Sequence, residues 1–389
     1  MKKIIITLLI VVMLIPNFVY AQNEGENNSQ LTPNAGSSVL IEVSTGTVLF
    51  EKNKDNQVAV ASLTKMMAQI LILEAIESGN LTWDEKVKAS SNAAGYGGTQ
   101  IYLQPGEEMT VRDLMKGISM ASANDATVVL AERIAGSEEA FVKMMNDKAK
   151  ELGLKNTNFV NPTGLDETNH YSSAYDMALI AIELLKHEEI LEFSSVYEDY
   201  LRVDTPNKFW LVNTNKLVRF YDGADGLKTG FTDNAGYTMA VTAKRDDMRL
   251  LAVVLGEAVS KVRNQETIEL LDYGFNLYKI DVIKKQGDVI DTIKLDRANR
   301  SSVDVILEKD ITVLSKKSDT DKKYTEKVNI NEIKLPIKKG DKVGEIEIFD
   351  SNNKIGSYPL IVNEEIKKKG FWKILGDNLK DIIVGDLMF

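Results

Sequence analysis

Ala61-Ser62-Leu63-Thr64-Lys65-Met66-Met67-Ala68-Gln69-Ile70-Leu71-Ile72-Leu73 puts a serine and a lysine three residues apart at the head of an apolar run. In a helix, that spacing sets two side chains on one face, so the Lys65 amine can reach the Ser62 hydroxyl. A serine at a helix start also has free backbone N–H groups and the positive end of the dipole beside it, which suits a developing oxyanion. The same letters serve structure alone, with Ser62 as an N-cap and Lys65 as a solvated charge. Ser351-Asn352-Asn353-Lys354 repeats the spacing and reads as a turn. The pattern needs support from the rest of the chain.

Composition narrows the chemistry. The 389 residues are 44% hydrophobic and 27% charged, ordinary globular material long enough for two domains. There is no cysteine, and the two histidines are His170 and His187. Disulfides, thiolate nucleophiles, zinc–thiolate sites and iron–sulfur clusters are excluded. Lysine then remains as the activator of a serine or threonine. No D-x-D-x-D-G loop or H-E-x-x-H is present, so no metal and no cofactor is expected. A formal net charge of −10 offers no grip on phosphates, and no nucleic-acid partner is expected.

Two further elements join the first. Ser122-Ala123-Asn124 lies between two helical patterns, where a loop can aim a hydroxyl and an amide into a cleft. Lys228-Thr229-Gly230 follows an Asp225-Gly226 turn on a strand pattern. There Gly230 permits close approach of a ligand, while Lys228 and Thr229 offer a cation and a hydroxyl to a carboxylate.

The layout around them is an α+β one. Residues 38–43 and 47–50 read as a hairpin, followed by helical patterns over 62–79, 110–120, 125–135, 138–152 and 172–186. Strand patterns return at 226–231, 237–243 and 249–255, and a closing helix is expected over 266–278. One sheet whose first and last strands pair, with helices around it, accounts for that order. From 280 to 363 the texture becomes short alternating strands with turn-rich joints, a small all-β domain.

In this order and context, Ser62-x-x-Lys65, Ser122-x-Asn124 and Lys228-Thr229-Gly230 resemble the active-site triplet of penicillin-recognising serine enzymes. Within that superfamily the stretch from about Ser38 to Tyr278 is similar to serine-type D-alanyl-D-alanine carboxypeptidases, the low-molecular-mass penicillin-binding proteins. Asn161-Pro162-Thr163-Gly164-Leu165, Tyr171-Ser172-Ser173-Ala174-Tyr175-Asp176 and Ala235-Gly236-Tyr237 add to the likeness. The resemblance implies that Ser62 attacks the carbonyl between two terminal D-alanines and that a neutral Lys65 takes its proton. Ser122 and Lys228 would relay that proton to the leaving amine, and Asn124 would orient Lys65 and the substrate. The backbone N–H groups of Ser62 and Phe231 would form the oxyanion hole. Lys228, Thr229 and Gly230 would bind substrate, with Arg263 either beside the leaving carboxylate or serving only as a helix-start ion-pair partner. Some family members carry His where this chain has Phe231, and some carry Arg where it has Thr214. Peptidoglycan stem peptides ending in D-Ala-D-Ala and β-lactam antibiotics are the implied partners. A D,D-endopeptidase or transpeptidase would share these residues. A non-catalytic cell-wall or β-lactam binding protein would not need a nucleophile with its base.

The ends predict location. Residues 1–21 read as a signal peptide, with Lys2 and Lys3 before an apolar run that Pro16 ends. Residues 22–36 read as an unstructured polar linker. Over 364–389, Ile366, Phe371, Leu375, Leu379 and Ile382 recur at helical spacing beside five lysines, which predicts an amphipathic helix lying on the outer face of the cytoplasmic membrane. The expected location is exported, extracytoplasmic and peripheral on the cell membrane.

Overall fold

A computed structural model describes residues 31–296, 298–319 and 322–370. The expected signal peptide, residues 22–30 of the linker and residues 371–389 of the terminal helix lie outside the described residues.

The first domain is built on a five-stranded antiparallel sheet. Its strands are β1 (Ser37–Glu42), β2 (Thr47–Lys52), β3 (Ala224–Thr232), β4 (Gly236–Arg245) and β5 (Met248–Glu257), in the order β2-β1-β5-β4-β3. The first strand pairs with the last, Leu40 opposite Ala252, as the sequence order predicted. Leu250-Leu251-Ala252-Val253-Val254-Leu255 is an unbroken apolar run because both faces of β5 are covered. Leu251, Val253 and Leu255 pack toward the helical block, while Leu250, Ala252 and Val254 meet the closing helix. Successive side chains point to opposite faces, so such a strand has no polar alternation.

The helical block comprises α1 (Lys65–Glu77), α2 (Val111–Ala121), α3 (Asn124–Ala135), α4 (Glu138–Glu151) and α5 (Ala174–Leu184). Side-chain caps open three of them: Thr110, Ser137 and Ser173 each accept a backbone N–H from the residue three positions on. Helix α1 is buried nearly all round, from Lys65 to Leu73 and at Ala75, so its core position follows from an apolar circumference rather than an amphipathic stripe. The closing helix α6 (Ser260–Leu277) begins six residues before its expected start at 266. Its Gly274 lies where a Cβ would come within 2.5 Å of Leu250, so a small residue lets the helix seat on the sheet.

The β-rich domain starts directly from that helix. Strand β6 (Tyr278–Lys284) crosses the expected boundary at 280 and pairs with β9 (Ile311–Lys316). Strands β7 (Val289–Lys294), β8 (Ser302–Leu307), β10 (Tyr324–Ile330), β11 (Lys342–Asp350) and β12 (Asn353–Val362) form a second sheet in the order β7-β8-β12-β11-β10.

Two expectations about the ends are corrected. The stretch 31–36, expected as free tether, is packed on the first domain. Glu266 accepts the Asn34 and Ala35 backbone N–H groups and the Asn34 side-chain amide, and Thr32 is fully buried against Ser38. The terminal helix does not begin at 364. Ile366 pairs with Ile337 and Lys368 with Ala298 as isolated bridges, and Ile366 is fully buried in the β-domain core. An isoleucine among lysines fits a helix face and a strand edge equally well by letters, and the open slot beside Ile337 decides.

Candidate active site

Ser62 sits in a single 3-10 turn, Ala61–Thr64, that leads into α1. Lys65 is therefore the first α-helical residue, and its amine points back over the turn. Lys65 Nζ lies 2.9 Å from Ser62 Oγ and donates to the Thr163 carbonyl at 2.7 Å. The side chain is fully buried, and burial with the nearby Lys228 cation holds its pKa well below the ordinary lysine value, against a smaller upward pull from Asp125. A lowered amine pKa beside a serine hydroxyl is the arrangement that a general base next to a nucleophile requires.

The second element comes from the junction of α2 and α3. Ser122 closes α2 in the left-handed region, φ 63°, and Asn124 opens α3. Ser122 Oγ and Asn124 Oδ1 are both buried and make no hydrogen bond to the protein. The Asn124 amide nitrogen is engaged: it donates to the Gly97 carbonyl at 2.7 Å, while the backbone N–H donates to Thr99 at 2.7 Å. The amide is thus fixed with its oxygen free to accept. Asp125 holds the loop in front, accepting N–H groups from Ile101 and Leu103.

The third element is the edge strand β3. Lys228 is buried and donates to the Thr229 carbonyl at 2.9 Å. Burial, with Arg263 nearby, lowers its pKa to about 7. Thr229 Oγ1 donates to Thr214 Oγ1 at 2.8 Å. A Cβ on Gly230 would stand 2.8 Å from the Ser62 backbone nitrogen and 2.6 Å from Thr238 Oγ1, so only glycine lets the strand approach the nucleophile this closely. Phe231 follows on the same edge, its half-exposed ring stacked on Tyr237 with centroids 4.4 Å apart. Because β3 ends the sheet, alternate N–H groups face away from β4 and are available to a ligand.

Ser62, Lys65, Lys228 and Gly230 meet in one place. Arg263 donates to the Thr238 carbonyl at 3.3 Å and to Asn264 Oδ1 at 2.8 and 3.2 Å, and its charge acts on Lys228. The Thr163 carbonyl was not legible beforehand. Its loop is fixed by Asn161, whose Oδ1 accepts the N–H groups of Thr163 and Gly164. Gly164 (φ 84°) lies where a Cβ would overlap the Ala61 carbonyl at 1.9 Å, so the loop backbone is in contact with the nucleophile turn. That word, Asn161-Pro162-Thr163-Gly164, was the available signal.

Comparison with known proteins agrees with this geometry. Residues 24–259 match the D-alanyl-D-alanine carboxypeptidase family, and residues 278–368 match the C-terminal domain of penicillin-binding protein 5. The D-alanyl-D-alanine carboxypeptidase DacF of Bacillus subtilis is 44% identical over 385 residues, covering 98% of this chain and 99% of that protein. Penicillin-binding protein 5 of Haemophilus influenzae superposes with a TM-score of 0.70 at 29% identity, covering 86% of this chain and 98% of that one. Penicillin-binding protein D2 of Listeria monocytogenes in its ampicillin-bound form gives 0.56 at 35% identity over 62% of this chain and 98% of that one. With the serine–lysine pair, the serine–asparagine loop and the lysine-bearing edge strand assembled on this fold, the chain belongs to the D-alanyl-D-alanine carboxypeptidase family of serine peptidases.

Proposed function

We propose that the protein removes the terminal D-alanine from peptidoglycan stem peptides through an acyl-enzyme on Ser62. The observation that carries this is the fully buried Lys65 amine at 2.9 Å from Ser62 Oγ. An extended peptide adds to the free edge of β3, with its terminal carboxylate at Thr229 and Lys228 and the Arg263 charge behind them. Ser62 Oγ attacks the carbonyl carbon of the penultimate D-alanine as Lys65 takes the hydroxyl proton. The oxyanion is received by the N–H groups of Ser62 and Phe231, brought together by Gly230. Collapse breaks the amide bond, and the proton passes through Ser122 and Lys228 to the departing D-alanine amine. Asn124 Oδ1 accepts the substrate N–H. Water then attacks the ester, with Lys65 again accepting a proton. A β-lactam acylates Ser62 likewise, but its leaving nitrogen stays tethered in the ring, and the acyl-enzyme persists.

Lys228 has a dual role here, relaying the proton and lowering the pKa of Lys65. In Lys228→Met the like charge is gone, so the Lys65 pKa moves up toward its ordinary value and less of it is neutral at a given pH. Stopped-flow acylation by a fluorescent penicillin should slow by about 10²–10³-fold, the loss typical of one transition-state electrostatic contact. The acid limb of its pH profile should move to higher pH. An unmoved limb would separate Lys228 from Lys65.

Location follows from the ends. The apolar run behind Lys2 and Lys3 supports export, and the lysine-flanked apolar spacing of 371–389 supports peripheral attachment to the outer face of the cell membrane. No helix among the described residues is long and apolar enough to cross a membrane. A chain ending at Gly370 should remain folded and active and leave the membrane fraction. One ending at Asn363 should lose β-domain stability as well, because it removes buried Ile366. Sedimentation with vesicles and thermal melts of the two chains check this.

A further inference from the structure

His170 takes no part in the chemistry above, yet it lies against the nucleophile turn. The ring is buried, 7% exposed, edge-on to Phe159 with centroids 5.8 Å apart. Its Nδ1 accepts the Val160 N–H at 3.1 Å. The proton must then sit on Nε2, which donates to Thr64 Oγ1 at 2.8 Å. A second ring proton would point at the Val160 N–H, so only the neutral tautomer satisfies both contacts. Burial favours that neutral form and lowers the imidazole pKa to about 4, against an upward pull from Asp166. The backbone N–H of His170 donates to the Glu167 carbonyl at 3.1 Å, which fixes the ring's own segment.

The two bonds join two different pieces of the site. Thr64 belongs to the turn that carries Ser62. Val160 opens the loop whose Thr163 carbonyl holds the Lys65 amine at 2.7 Å. The same loop presses Gly164 onto the Ala61 carbonyl. Three contacts therefore bind turn and loop together, and the imidazole supplies the one made by a side chain that is not part of the catalytic machinery.

We propose that His170 is a positioning residue for acylation, a neutral imidazole staple that holds the Ser62 turn and the Thr163 loop in register so that base and nucleophile stay at hydrogen-bond distance. This rests on the serine-acylation reading above. Removing the staple lets the loop move off and admits water to Lys65. Both the geometry and the burial that lower the lysine pKa are then weakened.

The test measures acylation by a fluorescent penicillin, and D-alanine release, as a function of pH in the full protein and in His170→Ala, His170→Gln and Thr64→Val. His170→Ala should acylate about 10²-fold more slowly, the scale of a displacement of about 1 Å. Its acid limb should move to higher pH. His170→Gln keeps an N–H donor toward Thr64 and should recover most of the rate and the original limb. Thr64→Val should slow acylation, and combining it with His170→Ala should add little, since both cut one link. If His170→Ala does not fold, the Thr64→Val limb carries the test. Slower labelling only in proportion to the folded fraction, with the limb unmoved, overturns the staple. A wild-type protein that neither labels nor releases D-alanine overturns instead the reading on which the staple rests.

Discussion

Ser62→Ala should abolish covalent penicillin labelling and D-alanine release together. Both reactions pass through an ester on the same oxygen, and no second nucleophile shares the Lys65 amine, whose two hydrogen bonds go to Ser62 Oγ and the Thr163 carbonyl. Release should fall by about 10⁴-fold or more, leaving only what the oxyanion hole and binding provide. The fold should be unaffected, because removing one hydroxyl from the turn leaves the Gly230 and Gly164 contacts, both made to backbone atoms. A gel of the labelled protein and an amino-acid assay on the same sample check both losses. Labelling that survives in Ser62→Ala would move the acylated residue elsewhere.

Lys65→Met is the second large effect. The substitution keeps the volume of a fully buried side chain and removes the base. Loss of a general base costs about 10²–10⁴-fold, and here the same amine serves acylation and deacylation, so turnover should fall toward the upper end. Stability should hold within about 3 °C of thermal midpoint, since no buried amine has to be kept out of water. Residual acylation should also lose its acid limb, because the group that titrates is gone. A Lys65→Met protein with a normal acylation rate and an intact limb would assign the base to another residue.

Much of this site was legible because its chemistry is written in side chains at short spacings. Ser62 and Lys65 sit one turn apart, Ser122 and Asn124 flank a helix junction, and Lys228 to Gly230 lie on one strand. Ser62 reads by its letters as the first residue of a helix, whereas a 3-10 turn precedes the α-helix at Lys65. What was not legible is carried by backbone and by long-range packing. The Thr163 carbonyl has no side-chain signature. His170 has no local motif around it, because its partners, Thr64 and Val160, are 106 and 10 residues away. For Arg263 the letters allow a place beside the leaving carboxylate or a helix-start ion pair; in the fold it donates to Thr238 and Asn264. In the fold, both faces of β5 being covered made the strand easy to place. Ile366 was misplaced because spacing alone does not show that a core slot is open beside Ile337.

The most direct measurement is D-alanine release by the purified protein from a short N-acylated peptide ending in D-Ala-D-Ala, with a fluorescent penicillin run alongside. One D-alanine should be released per peptide, and Ser62 should be stably labelled. Labelling without release would contradict the carboxypeptidase reaction and point to a transpeptidase, an endopeptidase or a binding protein. Rapid loss of the label, with hydrolysed penicillin accumulating, would contradict the persistent acyl-enzyme.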